Sequence, residues 1–168
     1  MIIQMNLRQI VRICALFIFV GTPILATSAS SQVHVTLNMR VESVNELAVS
    51  GNPGNLVVFI NPATGLSNEA VDVTTTYGIT TNEKNKKITA VLDQPMPDNM
   101  FLSIEFSPPS GASSLGRVLL STVVRDLVIG LSYLGENWRA ITYRFSSGKG
   151  ASSMNGSRNV TFTLIDGE

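Results

Sequence analysis

Apolar and polar residues alternate along most of the chain after residue 32, and no helical period is sustained. Successive residues of a β-strand point to opposite faces of a sheet, so alternation gives a strand one apolar and one polar face. The opening segment, residues 33–41, shows the pattern most clearly and predicts a strand. Its apolar side chains stand at every second position: Val33, Val35, Leu37, Met39 and Val41.

Strand-like segments recur to the end of the sequence and predict a fold of about eight strands. The later ones are predicted at residues 56–60, 71–79, 88–92, 100–106, 117–122, 127–131, 138–145 and 160–164. The polar run at 82–87 separates two of them and predicts a β-hairpin over residues 70–92. Glycine, proline and asparagine punctuate the other intervals. Short strands at this spacing are typical of an all-β chain folded as a β-sandwich.

The N-terminus has the composition of a signal peptide. Arg8 and Arg12 precede an apolar run, and Thr27-Ser28-Ala29 places small residues where a signal peptidase acts. We therefore predict a signal peptide at 1–29 and one domain at 30–168, exported to the periplasm, the cell surface or the medium. The alternative is a retained anchor, but the run has about 14 residues and a spanning helix needs about 20.

Charge and cysteine content narrow the function classes. The full chain has 12 basic and 12 acidic residues, and removal of 1–29 takes away Arg8 and Arg12, which leaves an excess of two acidic residues. Such a chain has no electrostatic signature of nucleic-acid or anionic-lipid binding. The single cysteine, Cys14, lies within the predicted signal peptide. Without disulfides the exported domain depends on core burial or on partners for stability.

No catalytic or metal-ligating pattern is present, so we expect a protein that is not an enzyme and needs no cofactor. The single histidine, His34, lies near the predicted mature N-terminus, where a catalytic base is poorly fixed. Zinc sites need clusters of cysteine and histidine. Calcium sites need several convergent oxygens, and the acidic pairs at 69 and 72 and at 93 and 98 are more simply solvated turn residues.

Two further features have simple structural interpretations. Lys84, Lys86 and Lys87 form a basic cluster that we interpret as a solubilising turn protecting the neighbouring strands. Trp138 is the only tryptophan. Its side chain could stack on a sugar, although a single aromatic residue in a strand is more often part of a core or a strand surface.

The layout of the mature chain resembles the disulfide-lacking pilins assembled by the chaperone–usher route, of the colonisation-factor type. The matching features are the opening segment 33–41, the following Val44-Asn45-Glu46-Leu47 and Gly51-Asn52, the polar turn at 80–88, and the terminal strand at 160–164. This resemblance implies an immunoglobulin-like sandwich that lacks its last strand. It also implies a periplasmic chaperone as a partner, followed by self-assembly through β-strand addition.

Carried onto this sequence, the resemblance implies two sets of site residues. The donor side chains would be Val33, Val35, Leu37, Met39 and Val41. The acceptor edge would be Val160, Phe162 and Leu164. The alternative is that residues 33–41 form the first strand of the chain's own sheet. The protein would then be a self-contained secreted immunoglobulin-like domain that binds a surface or carbohydrate partner.

Overall fold

A computed structural model describes residues 32–168, which contain nine β-strands and no helix. The predicted signal peptide, residues 1–29, lies outside the described residues. Arg40–Glu168 form one compact unit, and the described residues 32–39 belong to a separate one. The strands are β1 (Asn45–Ser50), β2 (Ala70–Thr81), β3 (Lys86–Leu92), β4 (Met100–Phe106), β5 (Ser113–Ser114), β6 (Val118–Leu119), β7 (Arg125–Leu131), β8 (Leu134–Ser147) and β9 (Val160–Asp166).

The nine strands form two antiparallel sheets. The first has the order β1-β2-β8-β4-β6, and the second has the order β5-β7-β3-β9. Alternation within the longer strands turns one face of each sheet towards the other, as in Ile88, Ala90 and Leu92 of β3, which are all buried. Because both apolar faces contribute to a common core, the fold is an all-β sandwich, as predicted.

Aromatic rings link the two sheets at the centre of the core. Tyr77 of β2 and Phe106 of β4 lie with their ring centroids 4.6 Å apart, within the first sheet. Phe106 also contacts Phe162 of β9, in the second sheet, with ring centroids 5.2 Å apart. Tilted aromatic pairs at these separations are favourable beyond the area that they bury. They therefore hold the terminal strand against the opposite sheet.

The predicted hairpin over residues 70–92 is wrong, although both of its strands exist. β2 pairs with β1 and β8, whereas β3 pairs with β7 and β9, so the connection at 82–85 crosses from one sheet to the other. Asn85 stands in this connection with a φ of 52°, a backbone conformation that asparagine tolerates. Alternation defined the apolar face of each strand, but it did not determine which strands would be hydrogen-bonded to each other.

Three of the predicted strands also differ from the structure. Residues 32–44 contain no strand, so the prediction for 33–41 is not met within this chain. The prediction for 56–60 reduces to a single bridge between Ile60 and Ser67, in a stretch bounded by Pro53 and Pro62. The prediction for 117–122 reduces to the two residues of β6. The remaining predicted strands are present with small changes of bounds.

The placement of the core can be tested by removing one central side chain. Ile104 of β4 is fully buried, and we expect Ile104→Ala to lower the free energy of unfolding by about 2–5 kcal/mol through the cavity that it leaves. Leu119 of β6 is 53% exposed, so Leu119→Ala should change it by only about 0.5 kcal/mol. Urea denaturation followed by circular dichroism measures both variants. Equal losses in the two variants would contradict this assignment of the core.

Candidate functional site

The last strand of the chain has a neighbour on one side only. β9 pairs with β3 along its whole length, from Val160 opposite Leu92 to Asp166 opposite Lys86, and it stands at the end of its sheet. On its other side, no strand of residues 32–168 pairs with it. An unpaired edge of seven residues exposes a row of backbone N–H and C=O groups that can pair with a further strand.

The predicted acceptor residues lie together on this strand. Val160, Phe162 and Leu164 point towards the core and pack against it, while Thr161 and Thr163 point outwards and are exposed. The three apolar side chains are nevertheless only half-buried. Apolar side chains that face a core are normally covered on all sides, so β9 lies at a place where the cover of the core is incomplete.

A groove opens between the sheets beside the start of β9. It encloses about 700 Å³, and two irregular segments, residues 53–60 and 152–158, form its walls. Its apolar lining comes from several strands and loops: Leu56, Met96, Met100, Leu102, Tyr143, Phe145, Met154 and Val160. A concave and mainly apolar surface of this size is suited to receiving apolar side chains.

The first sheet is also incomplete on this side of the sandwich. β1 is its end strand, and it pairs with β2 only over Thr76–Thr81. Leu47 of β1 is half-buried and packs against the core, and β1 lies next to β9. Among residues 32–168 neither β1 nor β9 has a further strand on its outer side, and we call this side of the sandwich, bounded by the two end strands, its open side. The groove adjoins it at the start of β9.

The predicted donor side chains are all exposed to solvent. Those of Val33, Val35, Leu37, Met39 and Val41 are between 74% and 88% exposed, and no strand is present in residues 32–44. Burial of one such side chain contributes about 1.5–3 kcal/mol, so five on one face make a surface with a strong tendency to associate.

The other candidate residues are distributed over the surface. Lys86 and Lys87 are not free turn residues but the start of β3: Lys86 forms ion pairs with Glu83 and Asp166, and Lys87 is 3.2 Å from Asp126. Trp138 is 80% exposed and has a φ of 62°, which is unusual for a bulky residue.

Three of the four acidic residues considered for calcium have protein partners. Glu69 contacts Arg117 and Arg144, Asp72 accepts hydrogen bonds from Thr74 and Gly54, and Asp93 accepts two from Asn159. Among residues 32–168 there is no group of three residues suited to binding a metal ion.

Most of the groove was not predicted from the sequence. Met100, Leu102 and Tyr143 lie on strands that alternation did predict, but alternation did not indicate that this part of the core would be open. The irregular stretch at 53–60, which includes the strand predicted at 56–60, forms one wall of the opening. The signal that was available is the density of proline and glycine between residues 51 and 65.

Burial changes the acid–base properties of two core tyrosines. Burial raises the pKa of Tyr143 to about 12, and the negative charge of Asp72 adds to the effect. Burial also raises the pKa of Tyr77 to about 12 against the opposing influence of Arg139, and its hydroxyl donates a 2.7 Å hydrogen bond to the Ser107 carbonyl. Both phenols are therefore neutral in the folded protein at physiological pH.

No protein-family model matches this amino-acid sequence, and no curated protein matches it either. In the part of the chain described, no helix is long and apolar enough to cross a membrane. The fold and the site together define an all-β sandwich with one open side.

The raised pKa of Tyr143 predicts an alkaline loss of stability. Between pH 10 and pH 12 the unfolded chain releases phenolic protons that the folded chain retains, so the free energy of unfolding should fall as the pH rises through this range. Below pH 10 both states hold the proton and the contribution is intact. We expect Tyr143→Phe to make the fall shallower, as measured by urea denaturation at each pH.

The matched control is Tyr133→Phe, because the side chain of Tyr133 is 63% exposed and lies outside the groove. This variant should retain the pH dependence of the wild-type protein. An unchanged slope in Tyr143→Phe would contradict the burial of this phenol in the folded state.

Proposed function

We propose that this chain is an exported structural or adhesive subunit that assembles by β-strand addition. Residues 33–41 of one copy pair with the free edge of β9 in a second copy, and their apolar side chains enter the groove of that copy. The observation that carries the proposal is the half-buried face of Val160, Phe162 and Leu164 on an unpaired edge strand. The donor segment supplies the apolar side chains and backbone groups that this edge lacks.

The strand order supports an immunoglobulin-like interpretation with one strand absent. In this interpretation β1, β2, β8 and β4 take the places of strands A, B, E and D, and β3 and β9 take those of C and F. Strand G of a complete domain lies beside F. In residues 32–168 no strand occupies that position, and the donor segment of a neighbouring copy would take it.

The dimensions of donor and acceptor are compatible. The alternating segment has nine residues and β9 has seven, so the donor can pair along the whole edge. Alternate side chains of the added strand then point into the sandwich, and the polar ones, His34, Thr36, Asn38 and Arg40, remain in solvent. A contact of this head-to-tail type propagates into a fibre unless its geometry closes a ring.

The same features imply a partner before assembly. A newly exported subunit would carry both an exposed apolar segment and an open apolar groove, a combination that favours aggregation. A periplasmic chaperone that lends a strand to β9 would cover the groove until a donor segment replaces it. The signal peptide predicted at residues 1–29 is consistent with folding in such a compartment.

A second candidate function is a secreted domain that binds a surface or a carbohydrate, and Trp138 favours it. A large aromatic side chain held 80% exposed on a backbone of positive φ is suited to stacking on a sugar ring.

The two functions can coexist in an adhesive subunit. Trp138→Ala separates them, because it should abolish sugar binding and leave assembly intact.

Assembly can be tested with two substitutions of neighbouring residues in the mature chain. Met39→Asp places a charge on the apolar face of the donor segment, and Asn38→Asp places the same charge on the polar face. We expect Met39→Asp to lose about 1.5–3 kcal/mol of contact energy, a weakening of about 10- to 100-fold, and Asn38→Asp to stay close to the wild-type protein. Sedimentation velocity over a range of protein concentrations measures both.

A complementary measurement distinguishes assembly from folding. Because Met39 is 83% exposed, Met39→Asp should leave the thermal unfolding of the sandwich unchanged. A lowered unfolding temperature in this variant, with a wild-type protein that stays monomeric, would instead support the self-contained domain. A synthetic peptide of residues 30–41 should bind to the Met39→Asp protein, and the same peptide carrying Met39→Asp should bind about 10- to 100-fold more weakly.

A further inference from the structure

The residues that connect the donor segment to the sandwich are held by one side chain, that of Asn82. Its Oδ1 accepts a 2.8 Å hydrogen bond from the Val44 N–H, and its Nδ2 donates a 2.7 Å hydrogen bond to the Glu42 carbonyl. The backbone N–H of Asn82 donates a third one, of 3.2 Å, to the Val44 carbonyl. An amide side chain offers a donor and an acceptor on separate atoms, as this pair of contacts requires.

Asn82 lies at the end of the sandwich where β1 begins and β9 ends. Thr81, the last residue of β2, pairs with Asn45, the first residue of β1. Lys86, after the short connection, pairs with Asp166, the last residue of β9. The chain therefore enters the sandwich beside the free edge and the open side described above.

Because of this position, two acceptors compete for the donor segment: the open side of its own copy and the open side of a second copy. Residues 42–44 are all that separates 33–41 from β1, and a three-residue connection is long enough to close a β-hairpin. If these residues were free to turn, 33–41 would fold back along β1 into the open side of its own copy. It would then run parallel to β9.

An acceptor in the same chain has a large kinetic and thermodynamic advantage. Segments joined by a short linker meet at effective concentrations of about millimolar, well above those of separate subunits. A subunit that filled its own open side would withdraw both its donor and its acceptor from assembly. Assembly between copies therefore requires that the connection be kept from turning.

We propose that Asn82 is a positioning residue that holds residues 42–44 in an extended course and so prevents the chain from filling its own open side. This inference rests on the proposed function, because it concerns which copy accepts the donor segment. Asn45 supports the same course: it accepts a hydrogen bond from the Thr81 hydroxyl and donates one to Glu83. Unlike Asn45, Asn82 forms its hydrogen bonds with residues 42–44 directly.

The test uses the full mature chain and cleavage by trypsin at Arg40, whose side chain is 82% exposed. In dilute wild-type protein we expect rapid cleavage at this bond. In Asn82→Ala the segment closes onto its own sandwich, and cleavage should slow by about tenfold or more, the change that corresponds to about 1.4 kcal/mol of closure. The slowing should be independent of protein concentration, and the fraction of oligomer should fall.

Asn137→Ala is the control. Asn137 is also an exposed asparagine, but it lies on β8, outside the groove and far from the connection in sequence. It should leave both cleavage and assembly unchanged. Asn82→Asp is a second test variant, since it keeps the acceptor for Val44 and loses the donor to Glu42, and it should show the same changes to a smaller degree.

The outcomes separate this inference from the proposed function. Equal cleavage at Arg40 in the wild-type protein and in both Asn82 variants overturns the role of Asn82, even if the wild-type protein assembles. A wild-type protein that never assembles overturns the proposed function, whatever Asn82 does. If Asn82→Ala fails to fold, Asn82→Asp is compared with the wild-type protein instead. Faster cleavage at Arg40 in Asn82→Asp would show that Asn82 has only a structural role and would overturn the inference. Slower cleavage is the result expected from closure of the segment onto its own sandwich.

Discussion

The apolar core shared by the two sheets needs cover along its whole perimeter, and the structure covers it incompletely beside β9. Phe162 packs on Phe106 of the opposite sheet and so keeps β9 over the core. On the other side of β9 there is no strand among the described residues, and Val160 and Leu164 remain half-exposed. Burial of apolar surface is the dominant favourable contribution to folding and association, so an incompletely covered core favours the addition of a further element.

A strand is the element that suits this position best. The free edge of β9 requires backbone hydrogen bonds, and the groove requires apolar side chains at alternate positions. A helix or an irregular loop satisfies at most one of these requirements. The proposed strand addition depends little on charge, because the ion pairs of Lys86 with Asp166 and of Lys87 with Asp126 join β3 to its neighbours β9 and β7. Asn82, at the same end of the sandwich, forms hydrogen bonds with the residues that precede β1.

Much of the secondary structure was predictable because alternation is a local property. The strands at 100–106, 138–145 and 160–164 were found with small errors in their bounds. The hairpin at 70–92 was not predictable in the same way, since a polar turn between two amphipathic strands is equally suitable for a connection within one sheet and for one between two sheets. The pairing of β2 and β3 with other strands decided that this connection runs between the two sheets.

The amino-acid sequence by itself determined the all-β class, the three inward-facing residues of the terminal strand, and the apolar face of residues 33–41. These are consequences of side-chain order along a strand of period two. Only the tertiary structure decided that β9 would be an end strand, that the groove would open at Tyr143 and Met100, and that Asn82 would hold the connection before β1. Each of these depends on contacts between residues far apart in the chain, and such contacts leave no local pattern in the sequence.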